Sequence, residues 1–187
     1  MLRSIRSARA ARVLASCAVL CWSVVAHAAL SKPSNANVVF HARGPAGLEI
    51  KGETSDLDLK EENGSVFLDV RLATLETGIG LRNRHMKDAL EVDKFPTVRL
   101  TVAKSAFRLP ARGESAEGDA PATLTLHGQS KPVTVHWSVR GEASSTFWVT
   151  GSFHLDMTEF GITAPSYLGV KVKRDLDVDA KFRVSGS

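Results

Sequence analysis

From about residue 37 onward, apolar and polar residues alternate with period two, the pattern of a strand that buries one face. Leu48, Ile50, Leu57 and Leu59 are interleaved with Glu49, Lys51, Asp56, Asp58 and Lys60 in a run that ends at Asn63-Gly64. That pair suits a two-residue hairpin turn, because both residues tolerate positive φ. Val66, Leu68, Val70 and Leu72 then share a face opposite Asp69 and Arg71, with Phe67 an apolar exception on the outer side. Val98, Leu100 and Val102 alternate with Thr97, Arg99 and Thr101, and Val133, Val135, Trp137 and Val139 with Thr134, His136, Ser138 and Arg140. Phe147, Val149, Phe153 and Leu155 stand opposite Trp148, Thr150, Ser152 and His154. The last run is the cleanest: Leu176, Val178, Ala180, Phe182 and Val184 against Asp175, Asp177, Asp179, Lys181 and Arg183. With Val38 to Ala42 and a short segment from Thr123 to His127, the pattern predicts about eight strands.

One helix is expected, near Leu81 to Glu91, where Leu81, His85, Ala89 and Leu90 fall on a common side. Ser31 to Asn37 and the Gly, Glu, Ser and Ala run from Ala111 to Ala120 read as flexible segments. So many one-sided antiparallel strands bury their apolar faces together as a sandwich or a closed barrel. An eight-stranded barrel is either filled by its own side chains or holds one slim ligand. Periodicity says which residues face inward and nothing about whether the interior is packed or hollow, and the residues alone favour a packed core.

The beginning of the chain changes the charge picture. Arg3, Arg6, Arg9 and Arg12 precede an apolar run from Val13 to Val25 and then Ala26-His27-Ala28, a signal-peptidase pattern. Residues 1–28 are therefore expected to be a cleaved leader, since thirteen apolar residues are too few to span a bilayer. The whole chain carries a net charge of +4, but four of its 24 Lys and Arg lie in this leader, leaving 20 basic against 20 acidic side chains in residues 29–187. A neutral exported domain gives no reason to expect nucleic-acid binding. Cys17 and Cys21 both lie in the leader, so disulfides and cysteine chemistry are not expected in the mature domain. The mature domain is expected to be exported.

Catalytic signatures are missing. His41, His85, His127, His136 and His154 are not spaced three or four apart, and the sequence contains no nucleophile elbow, phosphate-binding loop or dinucleotide fingerprint. The aspartates at 175, 177 and 179 are spaced as the solvated face of a strand. No catalytic residue, metal or cofactor is expected.

Three patches exceed what alternation requires. Thr77-Gly78-Ile79-Gly80-Leu81-Arg82-Asn83-Arg84-His85-Met86 leads into the helix, Phe95-Pro96 precedes a strand, and Leu124-Thr125-Leu126-His127-Gly128-Gln129-Ser130-Lys131-Pro132-Val133 joins two strands. Together with Phe160-Gly161-Ile162 and the final alternating strand, they resemble the YceI-like family of periplasmic lipocalin-like proteins, from about Asn37 to Val184. The resemblance implies an all-β, antiparallel lipocalin-like barrel with one short helix, enclosing a long apolar tunnel that binds polyisoprenoid or other long-chain lipids without catalysis. Three positions depart from the family pattern. Glu53 follows Gly52 where an aromatic is usual and is expected to narrow or polarise one end of the tunnel. Asn83 replaces an aspartate, and Ser130 a threonine, both mild changes.

Under this resemblance the tunnel wall is expected from Ile50, Leu59, Leu68, Val70, Leu81, Leu100, Leu126, Val135, Trp137, Val149, Phe153, Phe160, Val178 and Phe182. Arg82, Arg84 and His85 are candidates for the polar head of the ligand, because cations beside a short helix at a barrel mouth suit a phosphate or quinone oxygen. Asp156 to Arg174 is expected to close over the mouth. The partner expected is a long-chain isoprenoid lipid of quinone or polyprenyl phosphate type, with transient membrane contact, and the protein itself is expected to be a monomer or homodimer. Two other readings remain: a periplasmic enzyme or redox accessory using such a lipid or a His-bound metal, and a packed sandwich that recognises a partner through its loops.

Overall fold

In the computed structural model, residues 30–143, 145–164, 166–167 and 170–186 are described. The expected leader, and with it both cysteines, lies outside the described residues. In chain order the elements are β1 (Ser34–Arg43), β2 (Glu49–Thr54), β3 (Leu57–Glu62), β4 (Ser65–Arg71), α1 (Gly80–Ala89), β5 (Thr97–Ala103), β6 (Ser115–Leu126), β7 (Gln129–Ala143), β8 (Thr146–Asp156), β9 (Ser166–Tyr167), β10 (Val170–Lys171) and β11 (Asp175–Ser185). Nine of the strands form one antiparallel sheet in the order β2-β1-β11-β8-β7-β6-β5-β4-β3, curled into a half-barrel, and β9 and β10 make a separate two-stranded ribbon.

The ninth sheet strand arises because the run from Leu48 to Lys60, read as one strand, is broken. β2 and β3 are opposite edges of the sheet, yet only Ser55 and Asp56 separate them. Two residues span at most about 10 Å between their neighbours, so the curled sheet brings its edges together at that point. The break has a local cause. Thr54 Oγ1 accepts from the Asp56 amide at 3.1 Å and meets Thr74 Oγ1 at 2.7 Å, a side-chain turn that competes with ladder pairing. The Arg71 guanidinium then grips both Asp56 carboxylate oxygens at 2.6 and 2.7 Å. Leu48, expected inside, precedes β2 and is 46% exposed.

The segment from Ala111 to Ala120, read as flexible, is largely strand, because β6 begins at Ser115. Its inward positions Ala116, Gly118 and Ala120 lie opposite Val139, Trp137 and Val135 of β7. Small residues face large ones, and a Cβ on Gly118 would sit 3.2 Å from the Trp137 ring. Gly and Ala carry little hydropathy contrast, which is why the alternation was invisible. Two hairpins follow the turn chemistry of their sequences: Asn63-Gly64 (φ 50° and 76°) joins β3 to β4, and His127-Gly128 (φ 51° and 72°) joins β6 to β7. At the second, Gly128 also leaves room for Phe95, whose Cε1 would lie 2.7 Å from an added Cβ. Helix α1 starts one residue before the expected boundary, and Glu91 at φ 46° ends it short of the expected one.

The outer face is an ion-pair lattice. Phe67 lies there with the Arg99 guanidinium 5.5 Å from its ring centre. The aspartates of β11 face outward as expected: Arg43 donates to Asp177 at 2.8 Å, and His154 Nδ1 pairs with the same carboxylate at 2.8 Å. The hydrogen bond to His154, aided by the Arg43 charge against a modest burial cost, holds the Asp177 carboxyl below its ordinary value. A depressed native pKa stabilises the fold above the ordinary aspartate value and loses that contribution as pH falls through the native one. Asp177→Asn is therefore expected to cost less than about 1 kcal/mol at neutral pH, the pair being half in solvent, and nothing well below pH ~4. Urea unfolding across that range checks both parts.

Candidate functional site

The inward faces do not pack solid throughout. Two apolar cavities lie at opposite ends of the barrel. The first, of about 740 Å³, opens at the end carrying the β3–β4 and β7–β8 hairpins. The second, of about 800 Å³, lies at the end carrying the β1–β2 hairpin and α1.

Eight of the expected wall residues line the first cavity: Leu59, Leu68, Leu100, Val135, Trp137, Val149, Phe153 and Phe182. Ile50, Leu81 and Leu126 line the second. Val70, Phe160 and Val178 line neither, since each belongs to or packs against the buried core. Phe160 is 1% exposed. Leu126, Met157 and Ile162 face the second cavity and cluster with Leu124, Leu155 and Phe160; Leu100 and Phe153, which face the first, pack against the same cluster. The expected wall residues therefore fall into two chambers, and Leu124, Leu155 and Phe160, which line neither, pack between residues of the two.

Residues missed by periodicity complete both walls. Phe107 packs edge-on to Trp137 with ring centres 5.6 Å apart in the first chamber, and Met157, Ile162 and Val172 contribute to the second. All come from connections between strands, where no alternation exists to read. Phe40 was legible: it shares a face with Ala42, and its ring lies over Gly52, whose added Cβ would come 2.1 Å from Cε1. Glu53, expected to polarise the tunnel, points outward and pairs with Lys51 at 2.9 Å. The segment Asp156–Arg174 supplies Ile162 and Val172 to the second chamber; Pro165, Leu168 and Gly169 within it lie outside the described residues.

Each chamber has a polar edge. In the first it is the Glu61–Lys104 ion pair, and the Trp137 indole N–H is buried without a hydrogen-bond partner. In the second, Arg82, His85 and Asp88 come from α1. Arg82 Nη2 donates to the Thr77 carbonyl at 2.8 Å, while its Nε is buried and unpaired. Asn83 fixes this corner by accepting from the Thr77 amide at 2.7 Å and hydroxyl at 2.6 Å, as the usual aspartate would. Arg84 is exposed and lines neither chamber. The other histidines among the described residues do not meet inside the barrel. His41 pairs with Glu49 at 3.0 Å and His136 with Asp119 on the outer face, and His127 Nδ1 bonds the Phe160 carbonyl at 3.1 Å, tying the β6–β7 hairpin to the core. Among the described residues no group of three or more His, Cys, Asp or Glu side chains is arranged to hold a metal ion.

Comparison with known proteins places this geometry. The chain matches the YceI-like domain over residues 31–184. It is 29% identical over 132 residues to a UPF0312 protein of Pseudomonas savastanoi pv. phaseolicola, and 28% identical over 129 residues to one of Pseudomonas putida W619. These matches cover 66% and 64% of this chain, and the chain spans 63% and 64% of the length of those relatives. Among solved structures, a polyisoprenoid binding domain from Saccharophagus degradans superposes with a TM-score of 0.74 at 19% identity, covering 86% of this chain and all of that one (100%). Burkholderia cenocepacia BcnA gives 0.61 at 14% identity over 79% of this chain and 95% of its own, and a Campylobacter jejuni YceI protein 0.55 at 15% over 74% and 85%. The shared fold and the match over nearly all of the barrel make the chain a member of the YceI-like domain family.

Proposed function

We propose that the protein binds a long-chain isoprenoid lipid, of quinone or polyprenyl phosphate type, and carries or sequesters it in the periplasm without chemical conversion. The observation that carries this reading is the pair of apolar chambers, which a barrel of this size would fill with its own side chains if packing were its only task. Each has the size and the sparse polar lining of a ligand site. The polyisoprenoid-binding neighbour supports the same ligand class. Native mass spectrometry of the protein purified gently from periplasm, followed by lipid extraction, tests it. A one-to-one hydrophobic adduct is expected; a bare protein that also refuses added isoprenoids would sink the reading.

Within this reading the oxygenated head sits in the α1 chamber against Arg82, whose buried, unpaired Nε is a donor awaiting an acceptor, and beside His85. Leaving such a donor unmatched costs about 1–3 kcal/mol, so Arg82→Gln is expected to weaken lipid binding by roughly 5- to 150-fold. Titration with a polyprenyl phosphate and with the matching polyprenol separates charge recognition from chain recognition. Equal losses for both ligands would remove Arg82 from the head-group site.

A further inference from the structure

Four large apolar side chains are exposed among the described residues, and three of them, Leu48, Ile79 and Leu81, surround the mouth of the α1 chamber at 46%, 53% and 42% exposure. They sit on two separate projections, the β1–β2 connection and the entry to α1, on either side of an apolar opening. A neighbouring groove shares Ile162 and Val172 with the chamber and carries Lys171, Lys173 and Arg174 against Asp175. The chamber itself adds Arg82 against Asp88. Arg174 is held by Asp156 at 3.3 Å, but Lys171 and Lys173 are exposed. The opposite end is built differently, with Leu109 as its one exposed large apolar side chain among the described residues and a Glu61–Lys104 pair at its rim.

We infer that the α1 end docks on an anionic lipid bilayer, with Leu48, Ile79 and Leu81 entering the interface and Lys171 and Lys173 facing the head groups. The choice of a bilayer over a protein rests on the lipid-binding reading and on shape. Apolar tips around a hole leave no continuous flat patch for a protein partner, whereas a bilayer closes around each tip. A chamber mouth pressed to the acyl boundary also lets a hydrocarbon chain pass without crossing water. Cations near an anionic surface contribute about fivefold each to binding, and the effect is screened by salt.

Co-flotation with phosphatidylcholine vesicles, with and without phosphatidylglycerol, tests this. Binding is expected only with phosphatidylglycerol and is expected to weaken in high salt. Lys171→Glu with Lys173→Glu should lower it by at least about 25-fold, and Leu48→Gln with Ile79→Gln by about tenfold or more. The lysines lie outside the chamber linings, so the lipid adduct seen by native mass spectrometry should survive their reversal. The docking inference is overturned if the wild-type protein ignores anionic vesicles, if the variants bind as the wild type does, or if Leu48→Gln with Ile79→Gln instead breaks a soluble dimer. A preserved adduct in any of these cases would leave the lipid-binding reading standing while docking fails.

Discussion

Phe160→Ala is expected to destabilise the protein by about 3–5 kcal/mol, the range for emptying a well-packed aromatic site. Against a typical total of about 5–15 kcal/mol for a domain, that is about a fifth of the stability or more. The side chain is 1% exposed and packs with Leu124, Leu155 and Met157 between the two chambers. Its carbonyl, which His127 bonds at 3.1 Å, is untouched by the substitution, so the loss reports the ring alone. Phe153→Ala is the control. Phe153 packs on the same cluster but already borders the first chamber, so its removal widens an existing space and is expected to cost about 1–2 kcal/mol. Urea unfolding midpoints at unchanged slope give both numbers. Should Phe160→Ala cost no more than Phe153→Ala, the layer between the chambers is loose, and the barrel holds a single tunnel after all.

The same residue shows where sequence reading stops. Phe160 is apolar and belongs to a family-like motif, which is what makes it an expected tunnel-wall residue; nothing in one sequence separates an aromatic that lines a void from one that fills it. Strand faces were far more legible. On β8 and β11 every residue named as inward lies on the inner face, because a half-buried antiparallel strand must alternate. The break between β2 and β3 was also present in the letters. Leu48 and Ile50 occupy even positions and Leu57 and Leu59 odd ones, a change of parity that requires an irregularity between them. Each half alternates cleanly on its own, which masks the change. β6 was hidden for the opposite reason: its inward residues are Ala and Gly, chosen by the bulk of Trp137 across the ladder, and only the partner strand explains them.

Of the head-group candidates, Arg82 and His85 reach the chamber and Arg84 does not, as helical spacing requires of residues two apart. Leu81, His85 and Ala89 share the chamber-facing stripe, and Arg82 reaches it from the adjoining row. What could not be read was that Arg82 would be half committed, with one nitrogen on Thr77 and another buried and unpaired. That asymmetry depends on how the turn before α1 is folded by Asn83.

Gly151→Phe should abolish most lipid binding while leaving the fold at least as stable as before. Gly151 lies on β8 between Val149 and Phe153 and faces the first chamber. An added Cβ meets only Val135 Cγ1, at 3.6 Å, and the His136 carbonyl, at 3.9 Å, both ordinary contacts. The ring is therefore directed into existing space, where cavity filling and relief of an interior strand glycine together contribute about 0.5–2 kcal/mol of stability. Excluding even about four ligand carbons at ~0.8 kcal/mol each removes about 3 kcal/mol of binding, roughly 200-fold. Ala89→Trp does the equivalent to the second chamber from α1. If one long chain passes through both chambers, each substitution alone weakens binding by a comparable factor, and the layer around Phe153 and Leu100 must part to admit it. If the ligand is confined to the α1 chamber with its head at Arg82, Ala89→Trp is severe and Gly151→Phe is silent. Stability that rises with undiminished affinity in both variants would mean that neither chamber holds the lipid.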